Sequence, residues 1–205
     1  MYSNAKSGVR KLYKAELLEL FSTILIAVGG GIAIIPIIGT IIGGVIVLIG
    51  SILAIISAIL GMVALNKAGK DEAAFATAFK IIILQLVLSL VVGIINGILK
   101  DNALVGAIAE LITQIVDVAV TYFILTGLRR IFDSIGKAEM AAKSEKVLKI
   151  YSLGITFAAI CSCLVDSKVF AFQALSFVFG LVALVVSLVA YFKYLGYLKK
   201  SANEL

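Results

Sequence analysis

The run from Leu20 to Asn66 contains 47 residues without a charged side chain, and it limits the possible folds of this chain more than any other feature. As one continuous helix it would be about 70 Å long, whereas the hydrocarbon core of a bilayer is roughly 30 Å thick. The run therefore has to fold back once. Because proline removes a helix hydrogen bond and glycine relaxes the backbone, we expect the turn between Pro36 and Gly44.

The rest of the chain has the same character. Hydrophobic residues make up 62% of it and charged residues 15%, whereas an ordinary soluble domain is about half apolar and a quarter charged. This composition excludes a water-soluble globular protein. We predict one all-α domain over residues 1–205, an integral membrane bundle of six transmembrane helices arranged as three antiparallel hairpins. The spans are expected at about residues 17–35, 45–65, 79–99, 103–128, 148–165 and 169–192.

Lysine and arginine are distributed unevenly between the predicted connections. Sixteen of the eighteen lie in the N-terminal segment, the second and fourth connections and the C-terminal tail, and only Lys100 and Lys168 lie on the opposite side. Since basic residues accumulate on the cytoplasmic side, both the N- and the C-terminus are predicted to be cytoplasmic. Topology then explains the net charge of +6, and the expected partners are membrane lipids with anionic headgroups at the inner face, not nucleic acid.

Two segments raise further questions. The three glycines at 29–31, followed by Pro36, are compatible with a broken first helix, as in transporters with a midplane binding site, and also with an intact span. Residues 129–149 form a charged connection. We expect an amphipathic helix there at the inner membrane surface, with Ile131, Phe132 and Ile135 at the interface.

The fourth predicted span contains two acids and is the anomaly of the sequence. Glu110, Gln114 and Asp117 are spaced i, i+4 and i+7, so they lie on one helix face. A charged residue deep in the bilayer costs about 2.5 to 3.5 kcal/mol, and such residues often mark ion or proton pathways. Antiparallel pairing of the third and fourth spans brings Gln85 level with Asp117. We predict that these four residues bind an ion or a small solute.

Two functions remain open at this point. The first is binding or transport of a small solute, cation or proton through the polar face of the fourth span. The second is a protein that does not transport but organises lipid, forms a homo-oligomer or anchors a membrane-protein partner. Polar side chains also hold transmembrane helices together, contributing about 0.6 to 2 kcal/mol per pair. In the second case Asp117, neutral and bonded to Gln85, has only a structural role.

Missing residue types exclude several chemistries. The chain has no histidine and only two cysteines, which rules out a histidine-based catalytic or metal site. Glu110 lies roughly 10 Å from Asp117 along the helix, too far for two carboxyl groups that share a proton. We therefore predict a multi-pass protein of the cell membrane without enzymatic activity, cofactor or metal.

Overall fold

The structure, a computed structural model, describes residues 2–99, 103–165 and 170–205, with side chains at 2–37, 39–91, 94, 112–157 and 181–205. These residues form helices and no strand, which confirms the all-helical prediction. The six helices are α1 (Ser3–Ala33), α2 (Ile38–Ala68), α3 (Ala73–Leu99), α4 (Ala103–Ser134), α5 (Ala138–Val165) and α6 (Phe170–Glu204).

Four segments within the described residues are long and apolar enough to cross a membrane. They are Ser3–Ala33, Gly39–Ala68, Ala73–Val91 and Leu181–Glu204. The predicted fourth and fifth spans fall partly on residues whose side chains lie outside the described set. The chain is thus an all-helical protein with several apolar helices compatible with a membrane.

The chain divides into two compact units. The first comprises Met1–Asp71 and Leu198–Leu205, and the second comprises Glu72–Tyr197. The division falls in the polar connection between α2 and α3 and near the end of α6.

In the first unit, α1 and α2 pack antiparallel through small residues. A Cβ atom built on Gly29 would lie 2.8 Å from the carbonyl oxygen of Gly43, and one built on Gly50 would lie 2.7 Å from the Ile26 side chain. Such short distances require glycine, because any larger side chain would push the helices apart. The Ser22 hydroxyl uses the close approach to donate to the carbonyl oxygen of Gly50 at 2.8 Å.

The turn of this first hairpin is shorter and earlier than predicted. α1 ends at Ala33 and α2 begins at Ile38, so the expectation of a turn between Pro36 and Gly44 was wrong in extent. Gly39 and Gly43 lie inside α2 and contact α1, which means that these glycines serve helix packing and not the turn. The broken-helix alternative is also wrong, because α1 continues unbroken through residues 29–31.

The connection between α2 and α3 caps the start of α1. No side chain caps α1 from its own N-cap residue, Tyr2. Instead, the Asp71 carboxylate accepts the Ala5 backbone N–H at 2.8 Å and the Asn4 side-chain amide at 2.9 Å. The carboxylate thus accepts a hydrogen bond from a backbone N–H of the first turn that has no acceptor within the helix.

In the second unit, the core lies at the polar ends of the helices. Phe75 of α3 is fully buried, as are Ile131 and Phe132 near the end of α4. The Ser144 hydroxyl of α5 donates to the carbonyl oxygen of Leu125 at 2.6 Å. The prediction that Ile131 and Phe132 face the membrane interface was therefore wrong, since both pack inside protein. Ile135 is exposed, and its place at the interface stays a prediction.

Residues 129–149 do not form a separate surface helix. They complete α4, turn at residues 135–137 and continue into α5 from Ala138. Gly136 takes a φ of 74° in this turn, a left-handed conformation that glycine adopts without strain.

Candidate functional site

The predicted polar face lies on α4, and α3 packs against it. A Cβ atom built on Gly127 of α4 would lie 2.9 Å from the Phe75 ring of α3, which fixes the antiparallel register of the two helices. Gln85 follows Phe75 by ten residues and Asp117 precedes Gly127 by ten residues. The register therefore places Gln85 and Asp117 at the same level, about 15 Å from the Phe75 contact.

Gln85 and Asp117 are hydrogen bonded across the two helices. The Gln85 side-chain amide donates to Oδ1 of Asp117 at 3.2 Å. The juxtaposition predicted from the sequence is thus present, and the role of the pair in binding stays a prediction. The surrounding segments are apolar, with Leu84 and Ile115 each more than half exposed.

The other members of the face differ in burial. Thr121 is buried and Gln114 is half-buried, whereas Asp117 is exposed. Glu110 belongs to α4, but its side chain lies outside the described residues. The structure therefore brings Gln85 and Asp117 together, places Gln114 one turn away and leaves the contribution of Glu110 a prediction.

The exposure of Asp117 determines what the site can do. A carboxyl group that faces acyl chains costs about 2.5 to 3.5 kcal/mol at mid-bilayer depth, and one hydrogen bond from an amide offsets only part of that cost. When ionised, the exposed carboxylate of Asp117 therefore requires water, a cation or another polar protein surface beside it.

Ion pairs of the second unit gather at the polar end of α4, away from Asp117. Arg129 lies 3.5 Å from Glu145, and Arg130 lies 3.2 Å from Glu72. Lys149 contacts Glu145 at 3.1 Å. The hydrogen bond from Lys149, with the charges of Lys149 and Arg129, lowers the pKa of Glu145. Of these pairs, Arg129–Glu145 links α4 to α5, and Arg130–Glu72 links α4 to the segment that precedes α3.

A second candidate surface lies on the N-terminal part of α1. The long side chains of this face border a shallow groove of about 250 Å³, lined by Ser3, Lys6, Ser7, Arg10, Lys11 and Lys14. On the opposite face of the same helix, Ala5, Val9 and Leu12 are buried. The excess of basic residues in this segment was predicted from the sequence, but their alignment on one helix face was not. The i, i+4 and i+8 spacing of Lys6, Arg10 and Lys14 indicates that alignment.

Metal binding has no support among the residues that the structure describes. No group of three or more aspartate, glutamate, cysteine or histidine side chains within them is close enough to hold a metal ion.

The fold and the site define the class of protein: an all-helical chain with several apolar helices that are compatible with a membrane and a carboxyl–amide pair between two of them. No family model matches the chain. No curated protein and no solved structure matches it either.

Proposed function

We propose that the chain is a multi-pass protein of the cell membrane that binds, and carries across the bilayer, a proton, a cation or a small polar solute. The site is the polar face of α4, formed by Glu110, Gln114 and Asp117 together with Gln85 of α3. The observation that carries the proposal is the hydrogen-bonded pair of Gln85 and Asp117, whose carboxyl group is exposed within an apolar stretch. Intramembrane acids with this placement commonly serve ion or proton pathways.

The proposal includes the topology. Six spans in three antiparallel hairpins, with both termini in the cytoplasm, place sixteen of the eighteen lysines and arginines on the inner side. In this arrangement Asp117 lies in the interior of the fourth span. A bound proton or cation neutralises the carboxylate there, which removes the electrostatic cost of crossing the low-dielectric region.

The inner surface has a separate role in this proposal. The groove bordered by Lys6, Arg10 and Lys14 presents three cations on successive turns of α1. Anionic headgroups of the inner leaflet are its proposed partners, with about 1 kcal/mol of attraction for each basic residue near the membrane surface. Nucleic acid and enzymatic chemistry have no part in the proposed function.

A flux measurement tests the proposal. Wild-type protein in proteoliposomes is compared with Asp117→Asn and Gln85→Leu, using an internal pH dye for protons and labelled sodium or potassium for cations. The matched control is Asp133→Asn, also on α4, where the exposed carboxylate pairs with Arg129 at 3.8 Å. We expect flux in the wild type and in Asp133→Asn, with loss in Asp117→Asn. Equal flux in wild type and Asp117→Asn would contradict the assignment of the site.

A second function is favoured by the same exposed carboxyl group. If Asp117 meets a second copy of the chain instead of water, the pair is an oligomer contact in a protein that organises lipid or anchors a partner. The mass of the protein in lipid nanodiscs, measured beside the flux, distinguishes the two functions. A wild-type oligomer that Asp117→Asn dissociates, without flux for any probe, supports the second function.

A further inference from the structure

The turn between α1 and α2 is apolar and strongly exposed. Ile34 is 81% exposed, Ile35 59% and Ile37 78%, with Pro36 between them. Ile34 and Ile37 have larger exposed fractions than the other large hydrophobic residues that the structure describes. A turn that emerged into water would place three isoleucines there without any charged neighbour.

The other two turns predicted on the same side differ in sequence. The connection between α3 and α4 contains Lys100, Asp101 and Asn102, and the connection between α5 and α6 contains Asp166 and Lys168. Charged and amide side chains are typical of turns in water, whereas the first hairpin has none at its tip.

The polar groups near the tip are directed toward the hairpin itself. The Thr40 hydroxyl donates to the carbonyl oxygen of Ala33 at 3.3 Å, and the Ile35 N–H donates to the carbonyl oxygen of Ile32 at 3.0 Å. A segment in lipid has to satisfy its backbone groups internally, because no water is present to do so. The carbonyl groups of Ile32 and Ala33, next to the tip, follow this rule.

The backbone of Ile37 is strained for the type of residue that occupies it. Its φ is 64° and its ψ is −78°, the angles of a positive-φ γ-turn, which is rare and strained, above all for a β-branched residue. The chain thus has isoleucine at a position where the conformation favours small or polar residues. An isoleucine at such a position is explained if the surroundings of the tip are apolar.

The length of α1 places the tip within the lipid layer. Glu19 is the last charged residue of α1 before the tip, and its side chain is exposed. The remaining helix, Leu20 to Ala33, measures about 21 Å, whereas the hydrocarbon core is roughly 30 Å thick. Beyond the level of Glu19, α2 exposes four apolar side chains, those of Ile55, Ile56, Ile59 and Val63. One charged side chain in hydrocarbon nevertheless costs more than these four together gain there. The charges of α1 therefore set the inner boundary.

We infer that the first hairpin enters the bilayer and does not emerge on the far side, so that Ile34, Ile35 and Ile37 contact the acyl and glycerol region of the distal leaflet. This surface is distinct from the site on α4, and its occupant is lipid. This re-entrant hairpin replaces the first two of the six proposed spans, and because it begins and ends on the inner side, both termini stay cytoplasmic. It does not depend on transport.

The absence of tryptophan from the chain gives a clean test. Ile35→Trp introduces a single tryptophan at the tip, and Asn102→Trp provides the matched control in the charged turn. Both variants are placed in nanodiscs, where each membrane face is open to solvent, with lipids brominated at shallow or deep acyl positions. For Ile35→Trp we expect blue-shifted emission that bromolipids quench strongly and aqueous iodide does not. For Asn102→Trp we expect quenching by aqueous iodide and not by bromolipids.

A chemical measurement checks the result without a bulky residue. Ile35→Cys and Asn102→Cys are made in a background with Cys161→Ser and Cys163→Ser, and both are treated with a charged maleimide. Because the reagent would have to leave water, we expect labelling about tenfold slower at the tip. Equal labelling of the two cysteines would overturn the inference. Slow labelling without bromolipid quenching would overturn it too, because protein and not lipid would then cover the tip.

Discussion

Replacing Asp71 tests whether a side chain far along the sequence holds the start of α1. Asp71→Ala removes the acceptor of the Ala5 N–H and of the Asn4 side chain. Loss of an N-terminal cap costs about 1 kcal/mol. Loss of a negative charge near the positive end of the helix dipole adds about 0.5 kcal/mol. We therefore expect the free energy of unfolding to fall by about 1.5 kcal/mol.

The cap also predicts a pH dependence. Partial burial raises the pKa of Asp71, but the hydrogen bonds from Asn4 and Ala5 outweigh this effect and hold the pKa below its ordinary value. The carboxylate therefore stabilises the fold at a pH above its pKa in the unfolded chain. This contribution is lost as the pH falls through the lower pKa of the folded state. Asp71→Asn, which cannot titrate, should lack this acid-induced loss of stability.

Hydrogen exchange measured by mass spectrometry localises the effect. In Asp71→Ala, amides of the first turns of α1 should exchange about tenfold faster, since 1.4 kcal/mol corresponds to a factor of ten. Amides of α4 should not change. Asp133→Asn, which removes only an exposed partner of Arg129, serves as the control. If Asp71→Ala melts like the wild type and the exchange of α1 is unchanged, the cap contributes nothing and the reasoning is refuted.

Two further substitutions test helix packing, each with a matched control. Gly43→Ala should destabilise the first hairpin by about 1 to 3 kcal/mol in thermal unfolding, because its Cβ would collide with the α1 backbone. Gly44 has open space around it, so Gly44→Ala should be neutral or stabilising. Equal melting temperatures would show that the helices do not approach this closely. Ser144→Ala should cost about 1 kcal/mol by removing the buried hydrogen bond from Ser144 to the Leu125 carbonyl oxygen. Thr77→Ala, which removes an exposed hydrogen bond to Ala73, should cost less. The reverse order would contradict the assigned burial.

Much of the fold was predictable from periodicity and charge. The uncharged runs identified the helices, and the register expected for α3 and α4 correctly paired Gln85 with Asp117. The first turn was predicted incorrectly because glycine has two uses in a membrane helix. At Gly39 and Gly43 it permits close approach of α1, and sequence alone does not separate this use from turn formation.

Other features were missed because apolar sequence does not identify its neighbour. Phe132 has the same pattern whether it faces lipid or protein, and the structure places it inside protein. The cap from Asp71 was missed because its partners in α1 lie more than 60 residues earlier in the chain. The absence of a capping side chain at Tyr2 was the only local signal.

The location of buried residues shows that different forces stabilise different levels of the protein. Large buried side chains such as Phe75 and Phe132 lie at the polar ends of their helices, where water makes their burial favourable. In the apolar segments lipid is as favourable a neighbour as protein, so association there depends on close contact and hydrogen bonds. Gly29 packs on Gly43, and Ser22 donates to Gly50, in that manner. The pair of Gln85 and Asp117 lies at such a level too, and its hydrogen bond at 3.2 Å joins α3 and α4 there.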